Sequence, residues 1–481
     1  MFCMPVFAEN NTKIDSSIIS KEKIFIRTSG LSITDDGKYR LILQRPYEEG
    51  ADGKELIVSN AAKRNVFIVD LYNGSQCNVY NKFVIAGYVN GKLTALSDAH
   101  YVTNPTALAK TTVKRKDNGK KGILLSAMYL SDRPTLSELN LDQGVYNVLL
   151  GSLFNDGSIP YEFEGKTYYF NKQQVDEYDF VVDSMKDLGI QATLILLNDR
   201  TSDLSMIHPD ARGGNANYYA FNTAEEEGVN KLAAVIAFLS ERYSGTDHGT
   251  VDNYIIGNEI NARSWHYMDP SVTTDELIKE YVKSYRIAYA SIKRNNPNAR
   301  IYFSIDHNWE IGTAAATPGI DTIKKFNNEI VKGGMIDWEL AIHPYNDPMT
   351  KVDTWSNSKT AKDYITMQNL SVLTDFMSSA EMLNEKGDVR SILLSEQGYT
   401  SSVAGEELQG MAIVYGYMRA CENKYIDGYL LTRQQDAPEE TVQNMYFGIM
   451  NYDGTRKTSF DWYKNADDQN LQYNIKSQTG W

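Results

Sequence analysis

The sequence predicts an α/β fold, a (β/α)8 TIM barrel with a small β-rich domain on its N-terminal side. Three observations lead there. The chain has 481 residues, room for a barrel of ~250 residues or more with an accessory domain beside it. From residue 122 onward, eight short apolar runs alternate with segments of helical period. Before that point the runs are short and alternating, with turn residues rather than helices between them, as in an antiparallel β-domain.

In chain order, residues 1–8 (MFCMPVFA) are apolar and end in Val-Phe-Ala ahead of a polar stretch. They read as the tail of a signal peptide cut after Ala8, so a secreted or cell-surface location is expected. Residues 10–20 are polar and read as a flexible lead-in. Residues 23–112 contain IFIRTS, YRLILQ, ELIVSN, NVFIVDLY and KFVIAGYV, punctuated by DDGK, YNGS and VNGK, and form the expected accessory domain. The charged stretch KRKDNGKK at residues 114–121 is a turn joining it to the barrel, residues 122–481.

Barrel strands are expected at residues 123–129, 146–151, 192–198, 253–259, 301–306, 340–345, 392–397 and 429–433. Most are continuous apolar runs, the mark of parallel strands covered on both faces. Helical spacing links Val175, Tyr178, Val182, Met185 and Leu188, and Gly189 ends the helix. Thr223 with Glu226 reads as a capping box opening a helix to Tyr243, and Thr273 with Glu276 repeats it before Leu277. Further helices are expected at residues 370–383 and 406–423. The first unit has the least room, residues 131–142.

Composition narrows the function classes. Asp and Glu number 62 against 48 Lys and Arg, a net charge of −14, which argues against a nucleic-acid partner because phosphate binding needs a basic face. No apolar run reaches the ~20 residues of a membrane span. Cys3, Cys77 and Cys421 make neither a disulfide framework nor a thiolate metal site. The six histidines, at residues 100, 208, 248, 266, 307 and 343, show no ligand spacing. The first strand, ILLSAMY, lacks the His-x-His of metal-dependent barrel hydrolases. Neither a metal nor another cofactor is therefore expected.

In a (β/α)8 barrel the C-terminal ends of the strands line the site. Here they read Phe154-Asn155, Asn198-Asp199-Arg200, Asn258-Glu259, Asp306-His307-Asn308-Trp309, His343-Pro344-Tyr345, Ser395-Glu396-Gln397 and Arg433-Gln434-Gln435. Apolar strands that end in polar, titratable or aromatic residues make a site. Glu259 on the fourth strand and Glu396 on the seventh face each other across the mouth. Glycoside cleavage with retention uses two carboxyls ~5–5.5 Å apart, one nucleophile and one proton donor. Candidate carbohydrate-binding residues are Asn258, placed for a sugar 2-hydroxyl, with Asn198, Asp306, Trp309, His343, Tyr345 and Arg433. Trp265 and His266 stand in a loop after the fourth strand, where aromatic faces can stack on a sugar. The loops at residues 200–221 and 261–270 are expected to shape the subsites. A non-catalytic carbohydrate-binding barrel is the alternative from another class, and the retained glutamate pair argues against it.

Strand-Gly-Asn-Glu at the fourth position and strand-Ser-Glu-Gln-Gly at the seventh resemble the clan A retaining glycoside hydrolases. The resemblance covers residues 122–464 and extends to AIHPYND and YFGIMNYDGTRKTSFDWYK. It implies a TIM barrel, Glu259 as acid/base, Glu396 as nucleophile, Asn258 at the 2-hydroxyl, and His343 and Tyr345 beside the nucleophile. Two positions depart from the clan. Ile260 stands where many members have Pro, and LLTRQQDAP lacks the Trp that many carry after strand eight. The whole chain is similar to bacterial glycoside hydrolases of no settled specificity, so no substrate is carried over.

Overall fold

The computed structural model describes residues 12–245 and 247–481, so the expected leader at residues 1–8 lies outside the described residues. Before the barrel, Lys13–Ser20, Lys23–Ser29 and Arg64–Asp70 form a three-stranded antiparallel sheet. A second sheet runs His100–Tyr101, Lys82–Val89, Lys38–Gln44, Lys54–Asn60, with Lys92–Ala95 also paired to Lys82–Val89. The expected lead-in is corrected in part. Lys13–Ser20 is a strand in register with Lys23–Ser29, and Ile18 and Ser20 flank the buried Ile19.

The charges of residues 114–121 close the N-terminal face of the barrel. Arg115 Nε donates to Asn253 Oδ1 at 3.0 Å, and the Lys116 backbone N–H donates to Asp252 Oδ1 at 2.7 Å. Lys120 Nζ reaches the carbonyls of Ala420 and Asn423 at 3.0 and 2.9 Å, where the helix Ser401–Glu422 presents its negative end. Lys121 is fully buried and bonds the Lys464 carbonyl. The turn read from charge is therefore a floor plate built from charge-assisted bonds.

Eight parallel strands close the barrel in chain order: Lys121–Leu124, Gln143–Leu149, Gln191–Leu197, Val251–Ile256, Arg300–Ile305, Glu339–Ile342, Ile392–Gln397 and Ile426–Leu431. Val145, Ile195, Ile255, Tyr302, Leu393 and Leu430 pack inside it. Helices cover the outside. The first strand stops at Leu124, and Ala127–Tyr129 is a 3-10 turn rather than strand. The first helix has only six residues, Arg133–Glu138, with Asp132 capping it through the Thr135 N–H. A hairpin, Ile159–Phe163 with Lys166–Phe170, is inserted after the second strand and departs from the strand–helix alternation expected there.

One expected cap is also corrected. Helix Glu226–Arg242 has Glu225 at its N-cap without a side-chain cap bond. Thr223 Oγ1 instead donates to Glu280 on the next helix at 2.6 Å. The Thr273–Glu276 capping box is present. Among the described residues no helix is long and apolar enough to cross a membrane.

The fifth and sixth barrel units lock through Trp338. Its ring lies against Phe303 and Phe326 with centroids 5.3 and 5.6 Å away. Arg390 stacks 4.1 Å over it, and its Nε1 donates to Asn327 Oδ1 at 3.2 Å. Trp338→Ala removes a fully buried ring and is expected to cost about 3–5 kcal/mol of folding stability in denaturant unfolding. A loss under about 0.5 kcal/mol, the range of a surface change, would contradict this packing.

Candidate active site

Both glutamates are aimed by local backbone irregularities. After strand four the chain passes through Gly257 at φ 72° and Glu259 at φ 38°. Left-handed backbone at a non-glycine residue costs of order 1–3 kcal/mol and persists only where neighbours impose it. Here the Glu259 N–H donates to Ser304 Oγ at 3.3 Å and the Ile260 N–H to Ser304 O at 2.9 Å. On strand seven the pairing with strand eight slips between Leu394 and Gln397. Such a bulge re-aims a side chain, and the one it re-aims is Glu396.

The two carboxylates meet on one imidazole. His343 Nδ1 is 2.7 Å from Glu259 Oε1 and 4.0 Å from Glu396 Oε2. The carboxylate oxygens are thus closer than the sum of those two distances. That ceiling falls at the floor of the ~6.5–9.5 Å spacing of inverting enzymes and leaves the ~5–5.5 Å of retention open. The Tyr345 hydroxyl donates to Glu396 Oε1 at 2.7 Å, and His343 Nε2 lies 3.4 Å from Ser304 Oγ.

Burial sets the protonation of Glu259. Glu259 is 8% exposed, and burial pushes its carboxyl up to about 7 against the pull of His343. Burial lowers His343, yet the facing carboxylates of Glu396, Glu259 and Asp306 outweigh it and leave the imidazole above its usual value. Near neutrality the Glu259–His343 pair therefore holds a proton between two atoms 2.7 Å apart. The Tyr345 hydroxyl, buried beside Glu396, is held well above the usual phenol range and stays a donor.

The structure brings together Asn258, Glu259, Asp306, His343, Tyr345, Glu396 and Arg433 and sets others apart. The Asn258 amide is buried and has no hydrogen-bond partner among the described residues, so it is available to a ligand. Asp306 positions loops: its Oδ1 accepts from Asn261 Nδ2 at 2.6 Å and from the Asn308 N–H at 2.9 Å. Arg433 stands near Glu396, with Nη2 donating to Glu440 Oε1 at 2.6 Å.

Three aromatic and amide expectations are corrected. Asn198 is 1% exposed, and both ends of its amide are used, accepting from Gly151 N–H and donating to Met206 O. Trp309 is also 1% exposed and packs edge-on against Phe376. It presents no face to a ligand. His266 is buried between Phe221 and Tyr281, and burial drives its imidazole down to about 3.

Tyr218 and Glu440 were not foreseen. Tyr218 comes from the loop after strand three, packs on the barrel's interior cluster and lies 5.9 Å from the half-exposed ring of Trp265. Burial, with Glu396 nearby, pushes its hydroxyl up to about 12. Glu440 sits in the short helix Pro438–Thr441, where burial raises its carboxyl to about 7 against Arg433. Neither has a sequence signal, because loop residues carry no period that points to the mouth. Among the described residues no group of three or more His, Cys, Asp or Glu side chains is arranged to hold a metal.

Solved structures share this architecture at low identity. A family 39 glycoside hydrolase from the gut symbiont Bacteroides cellulosilyticus WH2 is 14% identical, with a TM-score of 0.51 over 96% of this chain and 83% of that one. GH5_18 from Streptomyces cattleya in complex with GlcNAc is 12% identical, with a TM-score of 0.50 over 75% of this chain and 81% of that one. A variant of GH5_18 from the same organism, in complex with Manb1-4GlcNAc, is 14% identical, with a TM-score of 0.50 over 72% and 80%. Likeness at this identity is likeness of fold. No curated protein matches the chain. Residues 113–479 match the model of DUF5722, a family of unknown function, and the chain belongs to that family.

Proposed function

We propose that the protein is a retaining glycoside hydrolase acting on an oligo- or polysaccharide. The observation that carries this reading is the pair Glu259 and Glu396 on His343, with one carboxyl pushed up to about 7 and the other held by a tyrosine hydroxyl. A protonated carboxyl opposite an oriented carboxylate is what double displacement at an acetal carbon needs. The fold shared with glycoside hydrolases supports the same reading.

In the first step a Glu396 oxygen bonds the anomeric carbon as the bond to the leaving oxygen breaks, and Glu259 gives that oxygen its proton. Tyr345 holds Glu396 in line during attack. In the second step Glu259 takes a proton from water, the water oxygen bonds the anomeric carbon, and Glu396 leaves. The free Asn258 amide suits the sugar 2-hydroxyl, and Tyr218 with Trp265 offers an aromatic wall on which sugar C–H faces can rest.

A panel of aryl glycosides and polysaccharides tests the proposal. On a substrate found there, Glu259→Gln is expected to lose about 10²–10⁴ in rate with an unactivated leaving group. Glu396→Gln abolishes turnover, and azide restores it to Glu396→Gly. Unchanged activity in either variant, or inverted configuration in the first product by NMR, would sink the assignment.

The acid must be protonated for the first step, so kcat/KM should fall as pH rises through about 7, where Glu259 loses its proton. His343 favours the ionised form of Glu259, so His343→Gln is expected to move this alkaline limb to higher pH. A limb that stays in place or moves down would show that Glu259 is not the group being read.

A further inference from the structure

Away from the barrel mouth, the β-domain and two barrel helices enclose a cavity of about 320 Å³. Lys82 and Tyr101 reach it from the β-domain. Lys279, Lys283 and Arg286 come from helix Thr274–Asn295, and Lys332 ends helix Gly319–Lys332. Five cations around one concavity stand out in a chain of net charge −14.

Glu49, Asp98 and Glu329 also line the cavity, three carboxylates against the five cations. Asp98 pairs with Lys332 at 3.3 Å, and Lys283 is shared between Glu280 at 2.7 Å and Glu49 at 3.5 Å. Lys82 is 5% exposed, its Nζ donates to Pro46 O at 3.2 Å, and among the described residues no carboxylate lies within ion-pair distance of it. Burial and the charge of Lys283 push it down to about 8, against the pull of Glu49, Glu280 and Glu48.

Arg286 is the stronger sign. It is 5% exposed and lies with its guanidinium 4.7 Å over the Tyr101 ring. Nη2 donates to Ile330 O and Gly334 O at 2.7 and 2.8 Å. Its Nε and Nη1 are buried without a partner among the described residues. Gly333 makes room for this group, since a Cβ there would meet Nη2 at 2.8 Å. A buried guanidinium donor left open near the Lys82 ammonium can take one oxygen of an oxyanion, with the ammonium charge beside it. Gln44 Oε1, also lining the cavity and buried without a partner, adds one acceptor that a hydroxyl on the ligand would satisfy.

We propose that this cavity binds a small oxyanion, a phosphate or carboxylate group that also carries a hydroxyl, between Arg286, Lys82 and Lys283. The bound anion then clamps the β-domain to the barrel. The site is independent of the proposed catalysis and stands or falls separately from it. Its source is either the free inorganic ion or the acidic group of a sugar.

Thermal unfolding and calorimetry of the full chain, at matched ionic strength, test it with inorganic phosphate, glucuronate, sulfate and chloride. A saturable rise in Tm with heat of binding is expected for phosphate or glucuronate, and the stronger of the two names the source. Sulfate, which lacks a hydroxyl near neutral pH, should be weaker. Lys82→Met should lose about tenfold or more in affinity. Lys279→Gln, an exposed rim position that leaves the core intact, should lose about twofold. Equal effects of all four salts, no binding heat, or unchanged affinity in both variants would overturn the proposal. If Lys82→Met fails to fold, the rim variant and the four-salt comparison decide.

Discussion

The buried contact between Glu259 and His343 is the interaction on which the rest of the mouth depends. At 2.7 Å it holds a proton in a place that water scarcely reaches, and it does so only because the barrel closes. His343 follows strand six, Glu259 follows strand four, and Ser304 on strand five touches both, bonding the Glu259 N–H and lying 3.4 Å from His343 Nε2. Three neighbouring strands thus fix one proton. Burial raises the carboxyl, and the imidazole restrains the rise, leaving Glu259 near neutrality rather than far above it.

The same closure sets the strain at Glu259 and the bulge at Glu396. A left-handed non-glycine residue would relax in an isolated turn. Here the ladder on either side and the bonds to Ser304 leave it no alternative. Below, the floor plate of residues 114–121 ties the strand starts together with lysine and arginine bonds to carbonyls and side chains. The irregular backbone at Gly257, Glu259 and the strand-seven bulge lies at the opposite end, where the strands finish.

Much of the fold was legible because its signals are local. Continuous apolar runs such as ATLILL and NYII place parallel strands, and Thr273 with Glu276 places a helix start that the structure bears out. The errors share one cause, competition from tertiary partners. Thr223 has the right neighbour three residues on for a cap, yet Glu280 on the next helix takes its hydroxyl. Trp309 follows a strand end and was expected to face a ligand, yet the chain turns it onto Phe376. Residues 13–20 look polar, but Lys23–Ser29 pairs them into a sheet and Ile19 is buried there.

By itself, the sequence determined the alternation of strands and helices, the order of the strands, and hence that Glu259 and Glu396 end strands on opposite sides of one barrel. Strand counting suffices for this, because a parallel barrel puts every strand end on the same face. Only the tertiary structure decided which of the polar strand ends meet. His343 and Tyr345 point to the two glutamates, while Asn198 turns to Gly151 and Met206 and Trp309 to Phe376. It also decided the protonation of Glu259, brought Tyr218 and Glu440 to the mouth, and gathered five cations between the two domains. These depend on burial and on contacts between residues far apart in the chain. Neither leaves a period or a spacing to be read in advance.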